Sequence, residues 1–268
     1  MPFATTPSGD LHYDICDFTP PWVDDPETII FHHGVAAHAA IWTDWLGVLA
    51  GKYRLVRFDL RGYGESVKPD ADHQWSFSEL VDDLICVADA VDAKKFHIVG
   101  ESIGATTAIA YALSSQKTRL LSMTVSNGSA KGGLLGNVNV WREMVNTGGQ
   151  KKWAAQMMEW RFYPGAIDPR TFHWYLNLHE TCSMDACLGL ADMLLAADFT
   201  KDLGHIRVPT LLMSPDNSPF VPVKVMADMR EEIPDAELAV FANSRHGLPL
   251  SHGEACARTL ESFISRRT

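Results

Sequence analysis

The chain has 268 residues, 46% hydrophobic and 21% charged, which suits one large α/β domain with a small insertion and excludes disordered and fibrous classes. Its formal net charge is −10 and it carries no Lys/Arg run, which argues against nucleic acid or an anionic membrane as partner. Cys16, Cys86, Cys182, Cys187 and Cys256 are scattered, odd in number and without a CxxC pair. They read as reduced thiols of a cytoplasmic protein, not as a disulfide framework or a zinc site.

The first residues lack a basic stretch followed by an apolar one, so no signal peptide is expected. No apolar run approaches the roughly 18 residues needed to span a membrane. Thr28 to Phe31 reads as a buried strand that ends at His32-His33-Gly34, and Arg54 to Phe58 as a second that ends at Asp59. Ser76 or Ser78 caps the helix that follows. In it Leu80, Val81, Leu84, Ile85, Ala88 and Val91 recur at helical spacing, opposite Asp82, Asp83 and Asp89. Phe96 to Val99 is the next strand, an Ala-rich helix runs from Ile103 to about Ser114, and Leu120 to Val125 is another strand.

The pattern changes after Ser126. Residues 137 to 200 carry Trp141, Trp153, Trp160, Trp174 and several Met at helical spacing, with no strand evident. Strands resume at Val208 to Met213 and Glu237 to Phe241, and a last helix spans about Glu254 to Ile264. The alternation predicts a mostly parallel sheet flanked by helices. The core domain is assigned to residues 1–133 and 201–268, with a helical cap at 134–200 inserted after the sixth strand. A Trp- and Met-rich stripe is more often core than binding surface. An insertion at that point, however, lies over the carboxyl ends of the strands, where open α/β sheets bind ligands. Trp153, Trp160, Phe162 and Trp174 are therefore the candidate substrate-binding residues.

Gly100-Glu101-Ser102-Ile103-Gly104 matches G-x-S-x-G between a strand and a helix. So tight a turn needs small flanking residues and drives the serine into a strained, exposed position, which makes Ser102 the candidate nucleophile. A serine hydroxyl needs a base. His246, after the last strand, is the candidate; His252 is the rival, and the other histidines read as surface or core residues. The N–H groups of Ile103 and Val35 are the candidate oxyanion donors. No phosphate loop, dinucleotide fingerprint or metal cluster appears, so no cofactor or metal is expected. The expected partner is a small-molecule substrate; self-association stays open.

Nearly the whole chain resembles the α/β-hydrolase superfamily. The matching pieces are His33-Gly34, Phe58 to Ser66, Gly100 to Gly104, Val208 to Leu212 and Arg245-His246-Gly247. Ser126 to Gly133, Trp141 and the run Asp198 to Pro209 are similar to the 3-oxoadipate enol-lactonase group. The resemblance implies the α/β-hydrolase fold, the order nucleophile, acid, histidine, and a serine hydrolase acting on a small ester, lactone, enol-lactone or amide. One departure stands out. Counting back from Pro222 to the family's acid position reaches Ser218, and Asp216 lies two residues earlier. Asp216 is the candidate triad acid, with Ser218 or a backbone carbonyl as the alternative orienting group. The missing acid also keeps a C–C bond hydrolase or a cofactor-free dioxygenase in view. A non-catalytic receptor on the same fold is a further alternative, while Ser102 disfavours epoxide hydrolases and haloalkane dehalogenases, which need a carboxylate nucleophile. Lys131, Arg142 and Arg161 are cations available to a substrate carboxylate, although such residues usually face solvent. Arg61 reads as structural.

Overall fold

The computed structural model describes residues 2–267. The elements in chain order are β1 (Phe3–Thr6), β2 (Gly9–Cys16), β3 (Thr28–His32), α1 (Thr43–Leu49), β4 (Arg54–Phe58), α2 (Phe77–Ala90), β5 (Phe96–Glu101), α3 (Ile103–Leu113) and β6 (Leu120–Ser126). Then come α4 (Trp141–Arg161), α5 (Pro169–Thr181), α6 (Met184–Ala196), β7 (Thr210–Pro215), α7 (Val223–Glu232), β8 (Ala236–Phe241), α8 (Leu248–Ser251) and α9 (Gly253–Ser265). The eight strands form one sheet in the order β1-β2-β4-β3-β5-β6-β7-β8. The pairs β1–β2 and β2–β4 are antiparallel, and every later pair is parallel.

Strands β3, β5 and β7 are buried at every residue, as parallel strands covered on both faces must be. Helix α2 starts where Ser76 Oγ accepts from Glu79 N–H, and it buries Leu80, Leu84, Val87 and Ala88. It also buries Asp83, whose carboxylate takes a two-pronged hydrogen bond from Arg61 at 2.5 and 2.6 Å. Arg61 therefore ties the loop after β4 to α2.

β4 is legible in the sequence to the residue and the parallel strands to within two residues, whereas the β1–β2 hairpin, α1, α7 and α8 are not. Between β6 and β7 the described chain carries the three helices α4 to α6. No helix among the described residues is long and apolar enough to cross a membrane.

The parallel strands all point their carboxyl ends the same way. That edge gathers the loops after β3 (His33 to Val35), β5 (Glu101, Ser102), β6 (Asn127), β7 (Asp216 to Ser218) and β8 (His246).

Candidate active site

At the end of β5 the chain reverses into α3 through Ser102, held at φ 57° and ψ −118°. This is a costly backbone for a residue with a Cβ. Its surroundings enforce it. A Cβ on Gly100 would come within 2.2 Å of the Gly104 carbonyl oxygen, and one on Gly104 within 2.3 Å of the His32 carbonyl oxygen. Ser102 N–H donates to Ser126 O, while Ile103 N–H, at the first position of α3, has no intrahelical acceptor.

His246 reaches Ser102. Its Nε2 lies 3.3 Å from Ser102 Oγ. Burial, with the Arg161 guanidinium second, holds the imidazole well below its ordinary pKa, so the ring is neutral and able to accept a proton. Asn127 Nδ2 donates to the His246 carbonyl and Gly247 N–H to the Arg161 carbonyl, which fixes the loop that carries the ring.

The group at Nδ1 of that ring is Ser218, with Oγ at 3.2 Å. Asp216 does not take that place. Its carboxylate accepts from Asn243 N–H at 2.8 Å and Ser244 N–H at 3.0 Å and so closes the loop after β8. The register of the β7 loop decides between the two, because Asp216 N–H is committed to Phe241 O and Asn217 N–H to Ser244 O. Ser218 Oγ itself accepts from Phe220 and Val221 N–H. A neutral hydroxyl thus stands where a carboxylate was expected.

The loop after β3 carries Val35, the other candidate donor. Leu60 N–H donates to His33 Nε2 at 2.9 Å, so the ring proton sits on Nδ1 and is given to Gly34 O at 2.8 Å. A trans peptide points its C=O and N–H in opposite directions, and the described chain has no cis bond. Holding the Gly34 carbonyl on His33 therefore turns Val35 N–H the other way. Val35, Ser102 and His246 line one cleft with Thr106, Asn127, Trp141 and Phe220. The space between these side chains, open solvent included, is about 390 Å³.

The four aromatic residues expected at the substrate lie elsewhere. Trp153 packs between Trp141 and His179, and Trp160 packs on Phe220. Phe162 lies against Tyr175 and Gly247, and Trp174 lies against His38 and Tyr175. Helical spacing indicates which residues turn inward, but the inward face of this insertion has its own core to fill. The apolar wall of the cleft is supplied instead by Leu135, Val138, Trp141, Ala191, Leu194 and Phe220.

Arg161 is also not solvent-facing. It is buried, with its guanidinium 5.7 Å from the centre of the Phe220 ring and its Nη1 without a hydrogen-bond partner among the described residues. Lys131 and Arg142 do face solvent, paired with Asp198 and Asp192. Glu101, the second residue of the elbow motif, is buried with its Oε1 3.6 Å from His246 Nε2. Burial raises its pKa to about 7, against the opposing pull of Arg161 and of Gly34 N–H. Among the described residues no cluster of His, Cys, Asp and Glu is arranged to hold a metal ion.

Comparison with known proteins gives a consistent picture. A family model described as the α/β hydrolase fold matches residues 27–156. RutD of Azorhizobium caulinodans, which carries the name of a carbamate hydrolase, is 25% identical over 89% of this chain and 89% of its own. The 3-oxoadipate enol-lactonase 1 of Acinetobacter baylyi is 25% identical over 79% of this chain and 80% of its own. The crystal structure of the enol-lactonase from Burkholderia xenovorans LB400 superposes with a TM-score of 0.88 at 19% identity, covering 98% of this chain and all of that one.

Proposed function

We propose that this chain, which belongs to the α/β-hydrolase superfamily, is a serine hydrolase that cleaves a small carboxylic ester, a lactone or enol-lactone, or an amide. The observation that carries the reading is Ser102 Oγ on its strained turn, 3.3 Å from the Nε2 of a buried, neutral His246.

The chemistry follows from the positions. His246 Nε2 takes the Ser102 proton as Oγ bonds to the substrate carbonyl carbon, and the carbonyl π electrons move onto oxygen. Val35 and Ile103 N–H receive that oxyanion. When the tetrahedral intermediate collapses, the leaving group departs with the proton from His246. Water activated by the same ring then releases the acyl group from Ser102. The mostly apolar cleft supports a small acyl portion, and the relatives' names extend the candidate bonds to carbamates. The five free cysteines support a reducing, cytoplasmic setting.

A fluorophosphonate probe and a panel of p-nitrophenyl esters, lactones and aryl amides test this. Wild type should label and turn over at least one ester or lactone, and Ser102→Ala should lose both. Full turnover by Ser102→Ala would sink the reading. The neutral Ser218 at His246 Nδ1 favours a second reading, a C–C bond hydrolase or cofactor-free dioxygenase in which His246 acts as base on the substrate. Oxygen uptake during turnover would separate the dioxygenase from both hydrolases.

A further inference from the structure

Hydrolysis through Ser102 creates an imidazolium on His246, and that cation needs a compensating charge. The usual position offers none. Ser218 is uncharged, and its Oγ also accepts from Phe220 and Val221 N–H. The problem is sharper than a missing acid, because a buried guanidinium stands close by. Arg161 acts on His246, Glu101 and His179 alike, and is packed over the Phe220 ring that itself lies 4.6 Å from the His246 ring. A second cation formed beside Arg161 in a low-dielectric site would be strongly opposed.

We propose that Glu101 is the carboxylate partner of His246, a positioning residue that takes over the role of the absent triad acid from the other side of the ring. Its Oε1 lies 3.6 Å from His246 Nε2, with both side chains buried. The site is built around it. A Cβ on Gly34 would fall 2.2 Å from Glu101 Oε2, so the loop after β3 leaves room for this carboxylate. Glu101 precedes the nucleophile in the chain, and the turn that exposes Ser102 therefore also fixes the distance from carboxylate to ring. During turnover Glu101 exchanges no atom. The proton moves from Ser102 Oγ to His246 Nε2 and on to the leaving group, while the Glu101 carboxylate stays ionised and balances the imidazolium against Arg161. The other ionisable groups packed around this cluster are Tyr175, His179, Cys182 and Cys187, all from α5, α6 and the turn between them.

The inference rests on the serine-hydrolase reading, and the test separates the two. Four proteins are compared: wild type, Glu101→Gln, Ser218→Asp and the double variant. An opposite charge within 4–6 Å stabilises a cation by about 1–3 pKa units, so Glu101→Gln should lower kcat/KM and the rate of fluorophosphonate labelling by about 10- to 1000-fold. Wild-type kcat/KM should rise with pH through an apparent pKa of about 7 as Glu101 ionises. In Glu101→Gln that rise should vanish, leaving a flat profile from pH 6 to 8. Ser218→Asp in the Glu101→Gln background should restore the rate to within a few-fold of wild type. Because the wild-type ring already has its carboxylate, Ser218→Asp should gain far more in the Glu101→Gln background than in wild type. A wild-type-like rate and pH profile in Glu101→Gln would overturn the proposal. So would a large gain from Ser218→Asp alone, an arm that does not depend on Glu101→Gln folding. Failure of wild type to label at all would instead remove the hydrolase reading beneath it.

Discussion

Protonating His33 would remove the lone pair that accepts from Leu60 N–H, while Nδ1–H would go on donating to the Gly34 carbonyl. Burial, partly opposed by Asp59, keeps the His33 pKa down at about 4, so the ring stays neutral at working pH. Its contribution is to aim an atom in the next peptide but one, the Val35 N–H. His33→Leu keeps the bulk and removes both hydrogen bonds. Removal of one oxyanion donor costs about 10²- to 10³-fold in kcat, and a loosened donor should cost somewhat less. Steady-state kinetics should therefore show kcat down about 10- to 100-fold with KM within a few-fold. A loss confined to KM would mean that the loop binds substrate without serving the oxyanion. The same comparison explains why His33 was visible in the sequence only as part of a motif. Its role depends on a tautomer set by Leu60, a residue 27 positions away.

At the scale of elements, the parallel strands and the elbow are legible because their signals are local: continuous apolar runs, then small residues around Ser102. The β1–β2 hairpin is not, because strands with one face toward solvent mix polar and apolar residues without a strong run. Burial of Glu101 and Arg161 is not legible either, since their compensating groups lie on other elements. Helix α4 shows a further feature hidden from periodicity. It is two helices joined across Gly149, whose φ of 76° and ψ of 169° are not helical. Nothing lies within 4 Å of a Cβ built there, so Gly149→Ala meets only the backbone cost of positive φ, about 1–2 kcal/mol of stability. Gly47 in α1 also has open space but lies at no positive φ, and Gly47→Ala should instead stabilise by about 0.5–1 kcal/mol. Urea unfolding of the two variants checks the contrast. The same sign for both would mean that the break in α4 is not held by Gly149.

The whole molecule carries an unusual load of buried ionisable groups, and their balance fixes how stability depends on pH. His32, His33, His179 and His246 are all held below the ordinary histidine value chiefly by burial, His32 to about 3 and His33 to about 4. A histidine with a depressed folded pKa stays neutral in the native state while the unfolded chain takes up a proton below about pH 6.5. Stability is therefore present above that value and lost as pH falls. Glu101 works in the opposite direction. Its folded pKa of about 7 exceeds the ordinary 4.5, so its contribution is full below about pH 4.5 and lost as pH rises to 7. Near pH 5 the unfolded state should hold more protons than the native state, because the depressed histidines, His97 among them, outnumber Glu101. That imbalance makes stability fall on acidification, and mild acid should unfold the protein cooperatively. Glu101→Gln removes the opposing contribution. It should be more stable than wild type by about 3 kcal/mol at pH 8, with no difference at pH 4. Urea midpoints at pH 5, 6, 7 and 8 measure both slopes, and equal stability of the two proteins at pH 8 would mean that Glu101 is not held near pH 7. If the gain appears together with the loss of activity expected at His246, the ionised Glu101 is a destabilising charge retained for the chemistry of Ser102.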